Sequence, residues 1–173
     1  MFVLDDVSLT VTPASQANSL ESSGIRIDGD DNCTHPVGRL GARGAFMFRA
    51  VVRQAVGIVG SLHATYAYLC DLRLDANNYL FLRLDNANQL QAVWNAKGAG
   101  ATTVSANVAA TWTAGADVLL KVQYGPSGVR VFVNGVLIID SGVACEFAGA
   151  PTTWQIGADT GIALQGDIVI KAP

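Results

Sequence analysis

The sequence predicts an all-β chain folded as an antiparallel two-sheet β-sandwich, and three observations carry that expectation. Asn134-Gly135 lies between two apolar runs and is a strong hairpin signal, because a type I′ turn needs positive φ at both central positions and glycine supplies one freely. Gly125-Pro126-Ser127-Gly128 closes a preceding hairpin whose strand pairing agrees with the first. No segment holds a sustained helical period; short apolar runs punctuated by Gly, Asn and Pro recur instead, giving about a dozen strands.

Taken in order, Phe2 to Thr12 alternates as a first strand with Val3, Asp5, Val7, Leu9 and Val11 on one side. Pro13 to Ser23 is polar and Ser-rich, so residues 1–23 are expected to form an N-terminal strand and polar arm, and residues 24–173 the sandwich domain. Ile25-Arg26-Ile27 opens that domain, and Ala45 to Arg53 follows with Phe46, Phe48, Ala50 and Val52 on one face. A three-residue turn at Ala76-Asn77-Asn78 would set Leu74 opposite Leu80, Leu72 opposite Leu82 and Cys70 opposite Leu84, with Asp71 facing Arg83 and Arg73 facing Phe81. A second turn at Asn86-Ala87-Asn88 places Leu90, Ala92 and Trp94 on the apolar side and Gln89, Gln91 and Val93 on the other.

After Trp112 and the Thr113–Asp117 turn comes a second meander. Its first hairpin pairs Tyr124 with Val129, Val122 with Val131, Lys121 with Phe132 and Leu120 with Val133. The Asn134-Gly135 turn then pairs Val133 with Val136, Phe132 with Leu137, Val131 with Ile138 and Arg130 with Ile139. Leu120, Val122, Tyr124, Val129, Val131, Val133, Val136 and Ile138 therefore share the core face, and a one-residue slip would turn the whole set outward. Trp154-Gln155-Ile156 and Asp167 to Ile170 complete the strands.

A chain of 173 residues suits one domain that can bury a core without staples. A net charge of −3 gives no electrostatic reason to approach nucleic acid or an anionic membrane. Charged residues make up 14% of the chain, against about 25% in an average soluble domain. Some of the surface is therefore expected to face something other than water. Phe2-Val3-Leu4 runs at once into Asp5-Asp6, so no secretory leader is expected, and no apolar run is long enough to span a bilayer. The three cysteines, Cys33, Cys70 and Cys145, lack metal-type spacing and read as buried thiols, with a Cys33–Cys145 bridge left open.

The runs Tyr79–Asp85, Trp112 with Ala114-Gly115, Gly128–Val136 and Trp154–Gly157 together resemble the concanavalin A-like lectin/glucanase superfamily, especially its laminin G-like members. The resemblance covers residues 24–173 and implies a concanavalin A-like jelly roll. It implies no single activity, because lectins, hydrolases, adhesion modules and virion proteins share that fold. The hydrolase branch carries a Glu-x-Asp-x-x-Glu signature, whereas the only glutamates here are Glu21 and Glu146 and neither has that context. Asp71 and Asp75 on one strand face would lie roughly 13 Å apart, beyond the ~5–9.5 Å of glycosidase carboxylate pairs. They read as an outer-face ion ladder with Arg73 and Arg83, which makes a glycan hydrolase the minor alternative.

Other chemistry is thin. Asp28, Asp30 and Asp31 offer oxygen ligands on a loop, as some laminin G-like modules do for calcium, but a turn is the simpler reading and no cofactor is expected. His35 and His63 read as structural, and Gly38–Gly44 reads as a turn rather than an anion cradle because no helix follows it.

The outward faces say more. Tyr79, Phe81 and Val93 project from the first meander and Phe132, Leu137 and Ile139 from the second, an apolar set that points to a partner surface. The leading expectation is a non-enzymatic module that docks onto itself or a larger assembly. With the resemblance in mind, that assembly is a virion built in a host cytoplasm, where the chain serves as a capsid-decorating or tail-fibre component. The alternative is a carbohydrate-binding module in which Tyr66, Tyr68, Tyr79 and Phe81 meet sugar rings while Asn and Asp side chains bind hydroxyls.

Overall fold

The computed structural model describes residues 2–3, 10–12, 20–21, 24–27, 32–34, 40–52, 66–85, 87, 89–108, 116–156 and 168–171. Side chains are described between 40 and 155 within those ranges, apart from 50–52 and Ala67. Everything that follows concerns these residues. Pro13–Ser19, Asp28–Asp31, His35, His63, Trp112 and Gly157 lie outside them.

The strands are β1 (Phe2–Val3), β2 (Thr10–Thr12), β3 (Leu20–Glu21), β4 (Gly24–Ile27), β5 (Asn32–Thr34), β6 (Gly44–Val52), β7 (Tyr66–Asp75), β8 (Asn78–Asp85), β9 (Gln89–Asn95), β10 (Thr102–Asn107), β11 (Asp117–Gly125), β12 (Gly128–Val133), β13 (Val136–Asp140), β14 (Thr153–Ile156) and β15 (Ile168–Lys171). One sheet runs β13-β12-β11-β6-β15-β4-β3, with β1 added beside β6, and the other runs β10-β9-β8-β7-β14-β5-β2. Every pairing is antiparallel except β1 with β6. The expected single strand from Phe2 to Thr12 is two short ones in different sheets. Alternation marks an extended, half-buried segment without saying which sheet receives it. With β3, residues 1–23 supply strands to both sheets.

The core lies between the sheets. Phe46 and Phe48 from β6, Leu120 and Val122 from β11, and Val129 and Val131 from β12 meet Leu72, Leu80, Leu82, Leu90, Trp94 and Trp154 from the other sheet. Phe46 and Trp154 touch across the interior at 5.0 Å between ring centroids. Each full burial of such a side chain contributes about 1.5–3 kcal/mol. The β11–β12 register is the predicted one from Leu120–Val133 to Tyr124–Val129, and Asn134 and Gly135 both take positive φ.

Two registers differ from expectation. The β7–β8 turn holds two residues, Ala76 and Asn77, between paired Asp75 and Asn78, and neither takes positive φ. Asp75 does the turning: its Oδ1 accepts from the Asn77 backbone N–H at 2.7 Å and from Asn78 Nδ2 at 3.0 Å. A bulge at Leu74 takes up the odd residue, so Leu72 faces Leu80, Cys70 faces Leu82, Arg73 faces Tyr79 and Asp71 faces Phe81. The expected partners were two residues off. An even error leaves the faces intact, and Leu80, Leu82 and Leu84 point inward.

The second difference is a bulge in β13. Phe132 still faces Leu137, but Val131 faces Ile139 and Ile138 has no partner. Ile139 is therefore 1% exposed in the core, while Val136, still opposite core-facing Val133 but next to the turn, is 58% exposed. Ile139, expected on the outer face as an interface residue, points into the core instead. Cys145 is a free, buried thiol, so no Cys33–Cys145 bridge forms. Burial pushes its pKa up to about 12, and burial raises Cys70 further still, so both thiols stay protonated and inert.

A strap at residues 141–151 crosses from β13 to β14 and closes one end of the sandwich. Asn78, almost fully buried, secures it by accepting from the Ala148 N–H at 2.8 Å and the Lys97 N–H at 3.0 Å through one side-chain oxygen. Trp94 Nε1 donates to the Ala144 carbonyl at 3.1 Å.

Candidate functional site

A third bulge builds the most distinctive outer surface. Without it, Tyr66 and Tyr68 would share the inward parity of Cys70. The register shift between Tyr68 and Cys70 instead drops Leu69 into the core and turns both tyrosines to the outer face. There they join Phe81 and Tyr79 from β8, so the four aromatic residues expected to meet sugar rings come together on one side of one sheet.

The rings hold one another. Tyr68 and Phe81 lie 5.1 Å apart and tilted, and Phe81 and Tyr79 lie 5.7 Å apart and nearly parallel at 13°. Two arginines interleave with them. The Arg83 guanidinium sits 3.6 Å above the Tyr66 ring and 5.5 Å from that of Phe81, and Arg73 sits 5.2 Å from Tyr79. Polar partners fix both cations: Arg83 Nε donates to Gln91 Oε1 at 2.8 Å, and Arg73 Nη2 bonds Asp71 Oδ2 at 3.0 Å. Gln91 in turn donates to Asp85 at 3.0 Å, and Asp85 accepts two backbone N–H groups of the β8–β9 turn. Tyr66, Tyr79 and Phe81 remain half-buried, while Tyr68 is buried against Phe81. The result is a pre-organised apolar strip bordered by guanidinium and amide donors.

This geometry keeps the Asp71–Arg73 pair of the expected ion ladder and corrects the rest. Asp71 faces Phe81 rather than Arg83 and is fully buried, and Asp75 serves the exposed turn. The two carboxylates do not converge on a shared space. Val93, expected to be an exposed interface residue, is only 5% exposed although it lies on the outer face opposite Phe81. Phe132 is half-buried with the Lys121 ammonium 5.1 Å from its ring, and Leu137 is 44% exposed. The six interface candidates therefore split across two sheets, with two of them buried. Among the described residues no group of three or more His, Cys, Asp and Glu is placed to hold a metal ion, and Asp28, Asp30 and Asp31 lie outside them. No helix of the described residues is long and apolar enough to cross a membrane.

Sequence reasoning missed a groove of about 350 Å³ at the β11–β12 tip, lined by Arg43, Gln123, Tyr124, Arg130 and the Gly125–Gly128 turn. Its walls come from segments some eighty residues apart. The only local signal was Arg43 in the Gly-rich loop read as a plain turn.

No family model matches the sequence, and no curated protein matches it. Solved structures do. The mouse laminin α1 chain domains LG4-5 align over 92% of this chain and 43% of theirs, at a TM-score of 0.66 and 14% identity. The fold is that of the concanavalin A-like, laminin G-like sandwiches. The carbohydrate-binding module CBM66 from Bacillus subtilis shares it along nearly its whole length, covering 94% of this chain and 91% of its own at a TM-score of 0.58 and 14% identity. Module CBM40 of the Ruminococcus gnavus IT-sialidase does likewise, at 89% and 92% with a TM-score of 0.54 and 13% identity. Trypanosoma rangeli sialidase matches at a TM-score of 0.65 and 14% identity, but the chain spans only 25% of that protein. At these identities the likeness establishes the sandwich and nothing finer.

Proposed function

We propose that this sandwich is a non-catalytic carbohydrate-binding module whose ligand face is the outer surface of β7 and β8. The observation that carries the reading is the bulge at Leu69, which brings Tyr66 and Tyr68 beside Phe81, Tyr79 and two arginines. Sugar rings present apolar C–H surfaces and hydroxyl rims. An aromatic strip receives the first, and Arg73, Arg83, Gln91 and the tyrosine hydroxyls bond the second. Because these groups already hold one another, little side-chain entropy remains to be lost on binding. That carbohydrate-binding modules match it over most of both chains supports the same reading.

The docking role in a virion has weaker support. Ile139 and Val93 are buried, Phe132 is shielded by Lys121, and the structures named above are carbohydrate-binding modules, laminin domains and a sialidase. A glycan array screened with the purified chain tests the proposal. Selective binding that a Tyr79→Ala/Phe81→Ala double variant loses supports it; no glycan bound, or binding the double variant retains, rejects it.

A further inference from the structure

The groove at the β11–β12 tip carries chemistry that the aromatic strip does not. Gln123 and Arg130 are cross-strand partners on the outer face of the hairpin, and Arg43 enters from the segment just before β6. Arg43 makes no ion pair or hydrogen bond within the described residues. Its charge reaches Glu146, which is bonded to Lys97 at 2.8 Å. Arg130 has one exposed partner, Asp140, at 3.1 Å. One row further along the same face, Lys121 bonds no carboxylate among the described residues and lies over Phe132. In a chain of net charge −3, these three cations, beside one bonded carboxylate and a Glu146 already paired with Lys97, make a local positive spot among the described residues.

The groove is also built to hold its shape. Tyr124 donates its phenol to the Gly41 carbonyl at 2.8 Å, Phe147 N–H to the Ala42 carbonyl at 2.8 Å, and Cys145 N–H to the Gly125 carbonyl at 2.8 Å. Burial raises the Tyr124 pKa, so that donor keeps its proton. Gly125 lies so close to Arg43 that an added Cβ would stand 3.3 Å from the arginine Cβ. Gly128 takes a φ of 107° and leaves room for Ser141 and Gly142, where a side chain would come within 2.8 Å of both. Three segments are thereby locked around two guanidinium groups.

We infer that this groove is an anion site that takes the carboxylate or sulfate of an acidic saccharide, with Arg43 and Arg130 as its guanidinium donors and Gln123 adding an amide. Guanidinium groups suit planar or tetrahedral oxyanions, which they bind through paired N–H donors. The saccharide part of the inference rests on the carbohydrate-binding reading; the anion part does not. Calorimetric titration with tetragalacturonate and its carboxyl-reduced neutral counterpart tests both. Wild type is expected to bind the acidic form about tenfold tighter or more, and Arg43→Gln to erase that preference while the affinity for the neutral form stays unchanged. Equal affinity for the two forms in wild type, or a preference that survives combined Arg43→Gln and Arg130→Gln, overturns the inference. If neither sugar binds, the saccharide part fails and sodium sulfate followed by NMR decides the anion site alone. Saturable millimolar shifts at Arg43 Nε–H and the Ser127 amide, absent in Arg43→Gln, uphold it; their absence in wild type removes it.

Discussion

The two three-strand meanders, β7–β8–β9 and β11–β12–β13, share a plan and differ in what they leave outside. The first carries four aromatic rings whose arginines are already engaged, Arg73 by Asp71 and Arg83 by Gln91. The second carries one ring, Phe132, among cations of which, within the described residues, only Arg130 has a carboxylate partner. An outward apolar residue becomes a binding surface only when its neighbours supply directed polar groups. On this view the first face suits uncharged sugar surfaces and the second suits charge.

The comparison breaks most readily at the core. Leu82→Ala should cost about 2–5 kcal/mol in denaturant unfolding, and Ile139→Ala a similar amount, because both fill the interior. Val136→Ala should change stability by no more than about 0.5 kcal/mol. If Ile138 proved the costly position and Ile139 the tolerant one, the bulge in β13 would be wrong. Next in size, Asn78→Ala removes the side-chain oxygen that accepts two backbone N–H groups and should destabilise by about 1–3 kcal/mol. Hydrogen exchange sharpens that test: protection should fall at Lys97 and Ala148 and persist in β11–β12.

A smaller effect separates the faces by function. Tyr79→Ala should weaken glycan binding by about tenfold, or 1.4 kcal/mol, with little change in melting, whereas Phe132→Ala should leave neutral-glycan affinity intact. Smallest is the response to acid. Hydrogen bonds from Asn78 and Asn77 hold Asp75 below the usual carboxylate range, and the Lys97 contact does the same for Glu146. A lowered folded-state pKa gives stability above the unfolded value that is lost as pH falls through the folded one. The melting temperature should therefore drop modestly below about pH 4, and Asp75→Asn should flatten part of that drop.

How far the sequence reached follows the same division. Val129 to Val133 alternates between two defined turns, so its pairing was legible to the residue. Val136 to Ile139 is four apolar residues in a row; with no period to read, nothing marked Ile138 as the bulge. Tyr66 and Tyr68 could be picked out by type, but their outward aim depends on Leu69 entering the core, a packing event no local pattern announces. The groove was least legible. Arg43 and Arg130 line one groove because β6 pairs with β11, a long-range contact.

The central claim is that the outer face of β7–β8 holds a saccharide. Its most direct test is a two-dimensional NMR titration of the full chain with a neutral glycan selected on the array. The account predicts saturable shifts confined to Tyr66, Arg73, Tyr79, Phe81, Arg83 and Gln91. Shifts centred instead on Val136, Leu137 and Val143 would contradict it.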